Sequence, residues 1–195
     1  MFKTWNIRYG VLLYSYGGVR VNNKLLNQYL ISLQNGNANA LESIYNITRK
    51  AVFSVSLSVV KNPHDACDIM QSTYIKINDK IHLYKPNTNA LAWILTITKN
   101  ISINESKKLS RNLVSDFNEK EPVSEMAQYA DIPIFNICKQ VLNEEELCII
   151  LLHVVSGYKH REIAELINKP LGTVLWSYNN SLKKLRNNLE AESER

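Results

Sequence analysis

Apolar residues recur at intervals of three and four through most of this 195-residue chain. Two examples are the stripe Leu26, Tyr29, Leu30 and Leu33 and the later stripe Leu91, Ile94, Leu95, Thr98 and Ile101. Because an α-helix turns once in about 3.6 residues, this spacing places apolar side chains on one helical face. No strand pattern of comparable length is present, so the sequence predicts an all-α protein.

The helical pattern is interrupted once, and the interruption predicts two domains. Residues 109–133 are polar, contain two prolines and show no sustained apolar period. Such a stretch is longer than most loops within a compact domain. We therefore expect a flexible linker between two small helical domains, residues 24–108 and 134–195. Within the first, the stripe that begins at Ala40 and the apolar run that ends at Val60 predict two separate helices.

Residues 1–23 form an N-terminal extension whose status the sequence leaves open. The letters "YGGVR" before Val21 fit translation of a purine-rich ribosome-binding site, with Val21 encoded by a GTG start codon. We therefore hypothesise that residues 1–20 are not translated in the native protein. An intact Phe2 peptide in the native protein would contradict this hypothesis.

The composition fits a soluble, non-enzymatic protein. The chain is 45% hydrophobic and 21% charged, and its net charge of +5 permits a polyanionic partner. Cys67, Cys138 and Cys148 show no metal-ligand spacing, which predicts reduced thiols in a cytoplasmic protein without metal or cofactor. No nucleophile–base pair, phosphate-binding glycine loop or catalytic carboxylate pair is present, and the four histidines are expected at the surface or at helix caps.

The stretch "HREIAELINKPLGTVLWSYNNSLKKL" has the construction of a helix-turn-helix. Ile163, Leu166 and Ile167 are expected to face inward from the first helix, and Thr173 is expected to cap the second. The exposed face of the second helix is predicted to contact DNA through Thr173, Leu175, Trp176, Ser177, Asn179, Asn180, Lys183 and Lys184. Its amides suit adenine edges, its apolar residues suit thymine methyl groups, and its lysines suit phosphates. The alternative is an ordinary helical hairpin with a solvated basic tail.

Four stretches, in order, resemble the small sigma factors of bacterial RNA polymerase of the extracytoplasmic-function type. "NGNANALESIYN", "NPHDACDIMQSTYIKI" and "ALAWILTITKNISINESKK" resemble parts of that family's second conserved region, and "LNEEELCIILLHVVSGYKHREIAELINKPLGTV" resembles its fourth. The resemblance implies a promoter-specificity subunit that binds core RNA polymerase and promoter DNA. It also makes regulation by an anti-sigma factor plausible, and it implies no membrane partner.

The resemblance further implies two sets of site residues in the first domain. The polymerase would be bound by Asp65, Asp68, Ile69, Gln71 and Tyr74. The opened minus-ten strand would be held by Tyr84, Lys85, Lys99, Asn100, Asn104, Lys107 and Lys108, while Trp93 is expected in the core. The second domain would read the minus-thirty-five element. Cys67, Ser72 and Asn104 stand where the family usually has acids.

Two other functions were weighed against the sigma factor. One is a sigma-like helix-turn-helix regulator of a mobile element that does not engage polymerase, and the other is a degenerate domain that only sequesters a partner. A simple helix-turn-helix regulator needs neither the "DACDIMQ" helix nor the basic "WILTITKN" helix. Their joint presence favours the sigma factor.

Overall fold

The computed structural model describes residues 21–111 and 133–193. In these two ranges the chain forms eight α-helices and no strand, which confirms the all-α prediction. Residues 1–20 and 112–132 lie outside the described residues, and with them the hypothesis about the start and most of the predicted linker. The division into two domains stays a prediction.

Four helices form the first half of the fold. They are α1 (Asn23–Gln34), α2 (Ala40–Val60), α3 (Pro63–Lys80) and α4 (Ala90–Arg111), with a short 3-10 turn at Ile81–Leu83. The two helices expected between Ala40 and Val60 are one continuous helix, α2, so that prediction was wrong. No glycine, proline or cap interrupts this stretch, and its β-branched and serine residues are tolerated because the helix is buried.

The turns between these helices follow local chemistry. Gly36 adopts φ +93°, a left-handed conformation that glycine takes without steric cost, between α1 and α2. Lys61 ends α2 at φ 54°, and the Asn62 side chain then accepts hydrogen bonds from the first N–H groups of α3 at 2.8 and 3.3 Å. Pro63 at the first helical position completes this start signal.

The second half contains α5 (Pro133–Val141), α6 (Glu144–Val154), α7 (His160–Leu166) and α8 (Leu171–Ser193). α7 and α8 are the two helices of the predicted helix-turn-helix. α2 packs against α1, α3 and α4, and it also packs against α6. One hydrophobic core therefore runs through both halves, with Phe53, Leu57 and Leu152 among its fully buried side chains.

Candidate polymerase and nucleic-acid interfaces

The second helix of the helix-turn-helix begins two residues earlier than the sequence predicted. α7 ends at Leu166, Asn168 adopts φ 53°, and the Val174 N–H donates to the Pro170 carbonyl at 3.2 Å. Pro170 therefore precedes the first turn of α8, and Thr173 lies inside that turn. The prediction that Thr173 caps the helix was wrong, because Gly172 lies in the first turn of α8 and Pro170 directly precedes that turn.

The amino-terminal half of α8 presents a mostly apolar and amide surface. Thr173, Asn179 and Lys183 are exposed, and Leu175 and Trp176 are 39% and 67% exposed. A tryptophan exposed to this extent is unusual on a soluble helix, since burial of its large apolar area would be favourable. These five residues lie where the sequence predicted a DNA-contacting face.

Three other residues predicted on that face point elsewhere. Ser177 is 5% exposed and its carbonyl accepts from the Ser181 hydroxyl, so the expectation that it faces outward was wrong. Asn180 and Lys184 both donate to the Glu146 carboxylate, at 3.2 Å and 2.7 Å. They lie on the side of α8 that meets α6, because a rotation of 100° per residue carries them away from Trp176 and Asn179.

Glu146 both caps the start of α6 and pairs with a residue of α8, and the sequence predicted neither role. It forms a capping box with Asn143, in which each backbone N–H donates to the other residue's side chain at 3.1 and 2.9 Å. Its carboxylate, 5% exposed, also pairs with Lys184. Burial alone would raise the pKa of Glu146, but the donors from Lys184 and Asn143 outweigh burial and hold that pKa below its ordinary value.

A second polar surface follows α4 and the loop before it. The predicted residues that are exposed there are Lys85, Lys99, Asn100, Asn104, Lys107 and Lys108. Lys108 pairs with Glu105 at 2.9 Å, an exposed pair that adds little stability. All of them except Lys85, which lies in the loop before α4, share one stretch of that helix, and such cations and amides can contact phosphates and unpaired bases.

Tyr84 does not belong to that surface in this structure. It is 2% exposed, donates a hydrogen bond to the Asn27 side chain, and its ring centroid lies 5.1 Å from that of Trp93. The expectation that Tyr84 is available to the minus-ten strand was therefore wrong, because it joins α1 to α4. Trp93 packs against the core, as predicted.

The predicted polymerase-binding helix, α3, exposes part of the expected set. Asp68 and Gln71 are exposed, and Asp65 is half-buried in the first turn. Burial, and then the neighbouring Asp68 carboxylate, raise the pKa of Asp65. Two carboxylates that repel one another on one helix form a surface that favours a cationic partner.

The other two residues of that set are in the core. Ile69 is 2% exposed, and Tyr74 is 7% exposed with its hydroxyl 2.9 Å from that of Thr48. Neither side chain is available to a partner in this structure, and Tyr74 is held against α2 by its contact with Thr48. Ile75, which the sequence analysis did not select, is 65% exposed one turn beyond Gln71. Its exposure follows from the packing of α3, and no signal in the sequence distinguishes it from the buried apolar residues of the same helix.

Comparison with known proteins finds similarity to sigma factors. Residues 44–112 match the family described as Sigma-70 region 2. The ECF RNA polymerase sigma factor SigW of Bacillus subtilis (strain 168) is 21% identical over 182 residues, covering 85% of this chain and 97% of SigW. The ECF RNA polymerase sigma factor EcfG of Rhodopseudomonas palustris (strain TIE-1) is 26% identical over 138 residues, covering 68% of this chain and 75% of EcfG.

These matches support an RNA polymerase sigma factor of the extracytoplasmic-function type. A solved structure of similar fold is that of the sigma factor RpoE in complex with the anti-sigma factor NepR from Bartonella quintana. It superposes with a TM-score of 0.57 at 21% identity, over 76% of this chain and 96% of that chain. Sigma factors act in transcription initiation as subunits of RNA polymerase.

In this sigma factor, two histidines predicted to lie in unrelated contexts meet near the helix-turn-helix. The rings of His153 and His160 stack with centroids 4.4 Å apart, and both contact the ring of Tyr178 edge-on. His153 Nδ1 lies 2.8 Å from the Tyr158 carbonyl, whereas the buried Nε2 of His160 has no hydrogen-bond partner among the described residues. Burial, and then the neighbouring His153, lower the pKa of His160.

The three cysteines are free thiols, as predicted. Burial raises the pKa of Cys138 and of Cys148 to about 11, so both are poor nucleophiles. Over residues 21–111 and 133–193, no group of three or more His, Cys, Asp or Glu side chains is arranged to hold a metal ion. In the same ranges no helix combines the length and the apolar character that a membrane crossing requires.

Proposed function

We propose that this sigma factor binds core RNA polymerase through the exposed face of α3 and contacts two promoter elements with separate helices. The α3 contact uses Asp65, Asp68 and Gln71, with Ile75 as an apolar contact at the carboxyl-terminal end of the set. An exposed isoleucine one turn from Gln71 and two turns from Asp68 fits a protein interface, in which apolar residues that become buried are flanked by polar groups. This exposed acidic face carries the proposal, since a simple helix-turn-helix regulator has no need of it.

The minus-ten contact is assigned to α4 and its preceding loop. Lys85, Lys99, Lys107 and Lys108 would neutralise phosphates, and Asn100 and Asn104 would hydrogen-bond to unpaired bases. Support comes from the exposure of all six side chains, five of which lie on adjoining turns of α4. The buried Tyr84 would position α4 rather than touch the strand.

The minus-thirty-five contact is assigned to the first three turns of α8. Trp176 and Leu175 would contact thymine methyl groups, Asn179 an adenine edge, and Thr173 and Lys183 the phosphates. A face with so little charge supplies little sequence-independent affinity. We therefore expect weak binding of free sigma factor to DNA, with tight binding only when polymerase brings both helices to one promoter.

The proposed role as a sigma factor also implies where the protein acts and how it is regulated. The protein would act in the cytoplasm, where its polymerase is, without a catalytic step or a cofactor of its own. Regulation by an anti-sigma factor is part of the proposal. The exposed apolar residues on α3 and α8 are surfaces that such a protein could cover.

The test is binding of the purified full chain to core RNA polymerase. Asp68→Arg reverses the charge at the centre of the acidic face and should weaken binding at least ten-fold. Glu42→Arg makes the same charge reversal at an exposed position in the first turn of α2 and should leave binding unchanged. Equal binding by both variants would remove the α3 assignment. Absence of polymerase binding by the wild type, with DNA still bound, would instead indicate a regulator that does not engage polymerase.

A further inference from the structure

Three amide side chains lie along one face of α1. They belong to Asn23, Asn27 and Gln34, and at 100° per residue they fall within about 40° of one another around the helix axis. This face lies beside the buried apolar stripe of the same helix. All three amides contact the segment between α3 and α4, from Ile81 to Leu91. The segment is therefore held by polar side chains of α1 as well as by the core.

Asn27 uses the full hydrogen-bonding capacity of its side chain. Its Nδ2 donates to the Asn23 carbonyl at 3.0 Å and to the Thr88 carbonyl at 3.1 Å. Its Oδ1 accepts from the Tyr84 hydroxyl and, at 3.2 Å, from the Asn87 N–H. An amide has two N–H donors and two acceptor lone pairs. Aspartate has the same shape but no donor, so only asparagine can make these four bonds at this position.

The other two amides hold the ends of the same segment. Gln34 Nε2 donates to the Ile81 carbonyl at 3.1 Å and to the Tyr84 carbonyl at 3.2 Å. Asn23 Oδ1 accepts from the Leu91 N–H at 3.4 Å, in the first turn of α4. Among these three amides, Asn27 alone holds the middle of the segment, at residues 87 and 88.

The backbone that Asn27 holds has a conformation that needs support. Asn87 adopts φ 63°, in the left-handed region, where residues other than glycine remain only when surrounding contacts stabilise them. The bond from the Asn87 N–H to Asn27 is such a contact. The side chains of Lys85 and Asn87 are exposed. The loop is thus fixed through its backbone while these side chains face solvent.

A fixed loop has a consequence for the binding of an unpaired strand. Groups that are held in place before binding lose less conformational freedom when the strand arrives. They also discriminate better between partners, because a mobile surface can adjust to the wrong partner and a fixed one cannot. Lys85, assigned above to the minus-ten strand, lies in this loop, and the loop leads directly into α4.

We propose that Asn27 is a positioning residue for the minus-ten contact, which fixes the loop of residues 84–88 so that it discriminates between bases of the unpaired strand. Asn27 acts through the loop rather than on the DNA, and it lies before residues 44–112, which match Sigma-70 region 2. The role in base discrimination rests on the proposed function of the loop and α4. The contact of Asn27 with the loop does not.

Hydrogen exchange in the free full chain tests the contact between Asn27 and the loop. Asn27→Ala should speed exchange of the Asn87 N–H by about five-fold or more, since one ordinary hydrogen bond contributes about that factor. NMR of the labelled protein measures the rate. The matched control is Gln28→Ala, which removes the neighbouring amide; Gln28 is exposed and makes no hydrogen bond to the loop within residues 21–111. An unchanged rate in Asn27→Ala would overturn the proposal.

Base discrimination by the holoenzyme tests the positioning role. Wild-type holoenzyme first selects duplexes from a random library, and mapped transcript starts identify the two promoter elements. Transcription is then measured on a selected duplex and on duplexes with single-base changes in either element. A loss of folded protein lowers all rates alike, so a purely structural role leaves the ratio between the selected and the changed duplexes unmoved.

Asn27→Ala should lower this ratio by about five-fold or more for at least one minus-ten position and leave the minus-thirty-five ratios unchanged. Gln28→Ala should leave both sets unchanged. Unchanged minus-ten ratios in Asn27→Ala, or equal losses at both elements, would overturn the positioning role.

A second variant keeps the test decisive if Asn27→Ala does not fold. Tyr84→Phe removes only the hydroxyl that donates to Asn27 and keeps the ring that packs against Trp93. Its minus-ten ratios should fall by about two-fold, because three of the four bonds remain. Unchanged ratios in this variant would then overturn the proposal.

Failure of the proposed function gives a different result. If the wild type does not bind core polymerase, the role of Asn27 in base discrimination falls with the proposed function. The exchange rate of the Asn87 N–H still decides whether Asn27 holds the loop.

Discussion

Replacement of Glu146 by alanine should destabilise the helix-turn-helix without removing any residue of the DNA-contacting face. The carboxylate accepts from the Asn143 N–H at 3.1 Å, from Lys184 Nζ at 2.7 Å and from Asn180 Nδ2 at 3.2 Å. It thus fixes the start of α6 and joins α6 to α8. Glu146→Ala removes all three contacts at one position.

The expected loss of folding free energy in Glu146→Ala can be worked out from the three contacts that the substitution removes. Loss of a capping interaction costs about 1 kcal/mol. The pair with Lys184 involves a charged donor, but the lysine is 40% exposed, so we assign it about 1 kcal/mol after solvent screening. With a smaller share for Asn180, the free energy of unfolding should fall by about 2–3 kcal/mol. For a chain of this length that lowers Tm by about 5–10 °C.

Thermal unfolding followed by circular dichroism at pH 7 measures this. The matched control is Glu145→Ala, which removes an adjacent carboxylate that is 46% exposed and pairs with Lys169 at 3.1 Å. Since exposed ion pairs contribute little, the control should lose about 0.5 kcal/mol or less. Equal losses in the two variants, or an unchanged Tm for Glu146→Ala, would refute the reasoning.

The same reasoning fixes the pH dependence. The folded state holds the pKa of Glu146 below its ordinary value, so the unfolded state binds the proton more readily. The contribution of Glu146 is therefore complete above the ordinary carboxyl range and is lost as the pH falls through the lower folded pKa. The difference in stability between wild type and Glu146→Ala should shrink in acid, leaving only what the neutral side chain contributes.

Three further predictions concern the second half of the fold. Lys183→Ala should lower the salt dependence of promoter binding by about one phosphate contact and leave Tm unchanged. Lys184→Ala should instead lower the free energy of unfolding by about 1–2 kcal/mol, because the buried Glu146 carboxylate loses a donor. Salt titrations of DNA binding and thermal melts of both variants check this, and equal effects of the two variants on DNA binding would contradict it. Trp176→Ala should relax promoter preference with little change in Tm, which selection from a random library measures; a large fall in Tm would show a core role instead. Since the folded state lowers the pKa of His160, the free energy of unfolding should fall as the pH drops below about 6.5. In thermal melts between pH 7 and pH 5, His160→Gln should show a smaller fall than the wild type. Identical pH profiles of the two proteins would contradict this.

The helix-turn-helix shows how far sequence periodicity reaches. Val174, Ser181 and Leu185 are buried and lie at helical spacing, and a period of 3.6 is what identifies the core face of a helix. Ser177 was misassigned because serine gives no hydrophobic signal in either environment. The true first turn of α8 was missed because proline and glycine mark a helix start as readily as a break.

Sequence periodicity does not predict which charged and polar residues are exposed. Lys183 and Lys184 are identical in the sequence, yet one is exposed and the other holds Glu146 from a helix more than 30 residues away. The meeting of His153 with His160 and the burial of Tyr84 depend in the same way on the packing of helices that the periodicity does not relate to one another. Such contacts depend on the angle and position at which two helices cross, and the spacing of residues within one helix does not predict either.

The sequence by itself determined the helices, their buried faces and the resemblance that identified the family, because these are local properties repeated over many residues. The tertiary structure alone decided which polar residues are free to bind a partner. It also decided that the serines of "AVFSVSLSVV" are buried on all sides. A helix that is covered by two layers and a helix at the edge of one can carry the same residues, and only the position of the second layer distinguishes them.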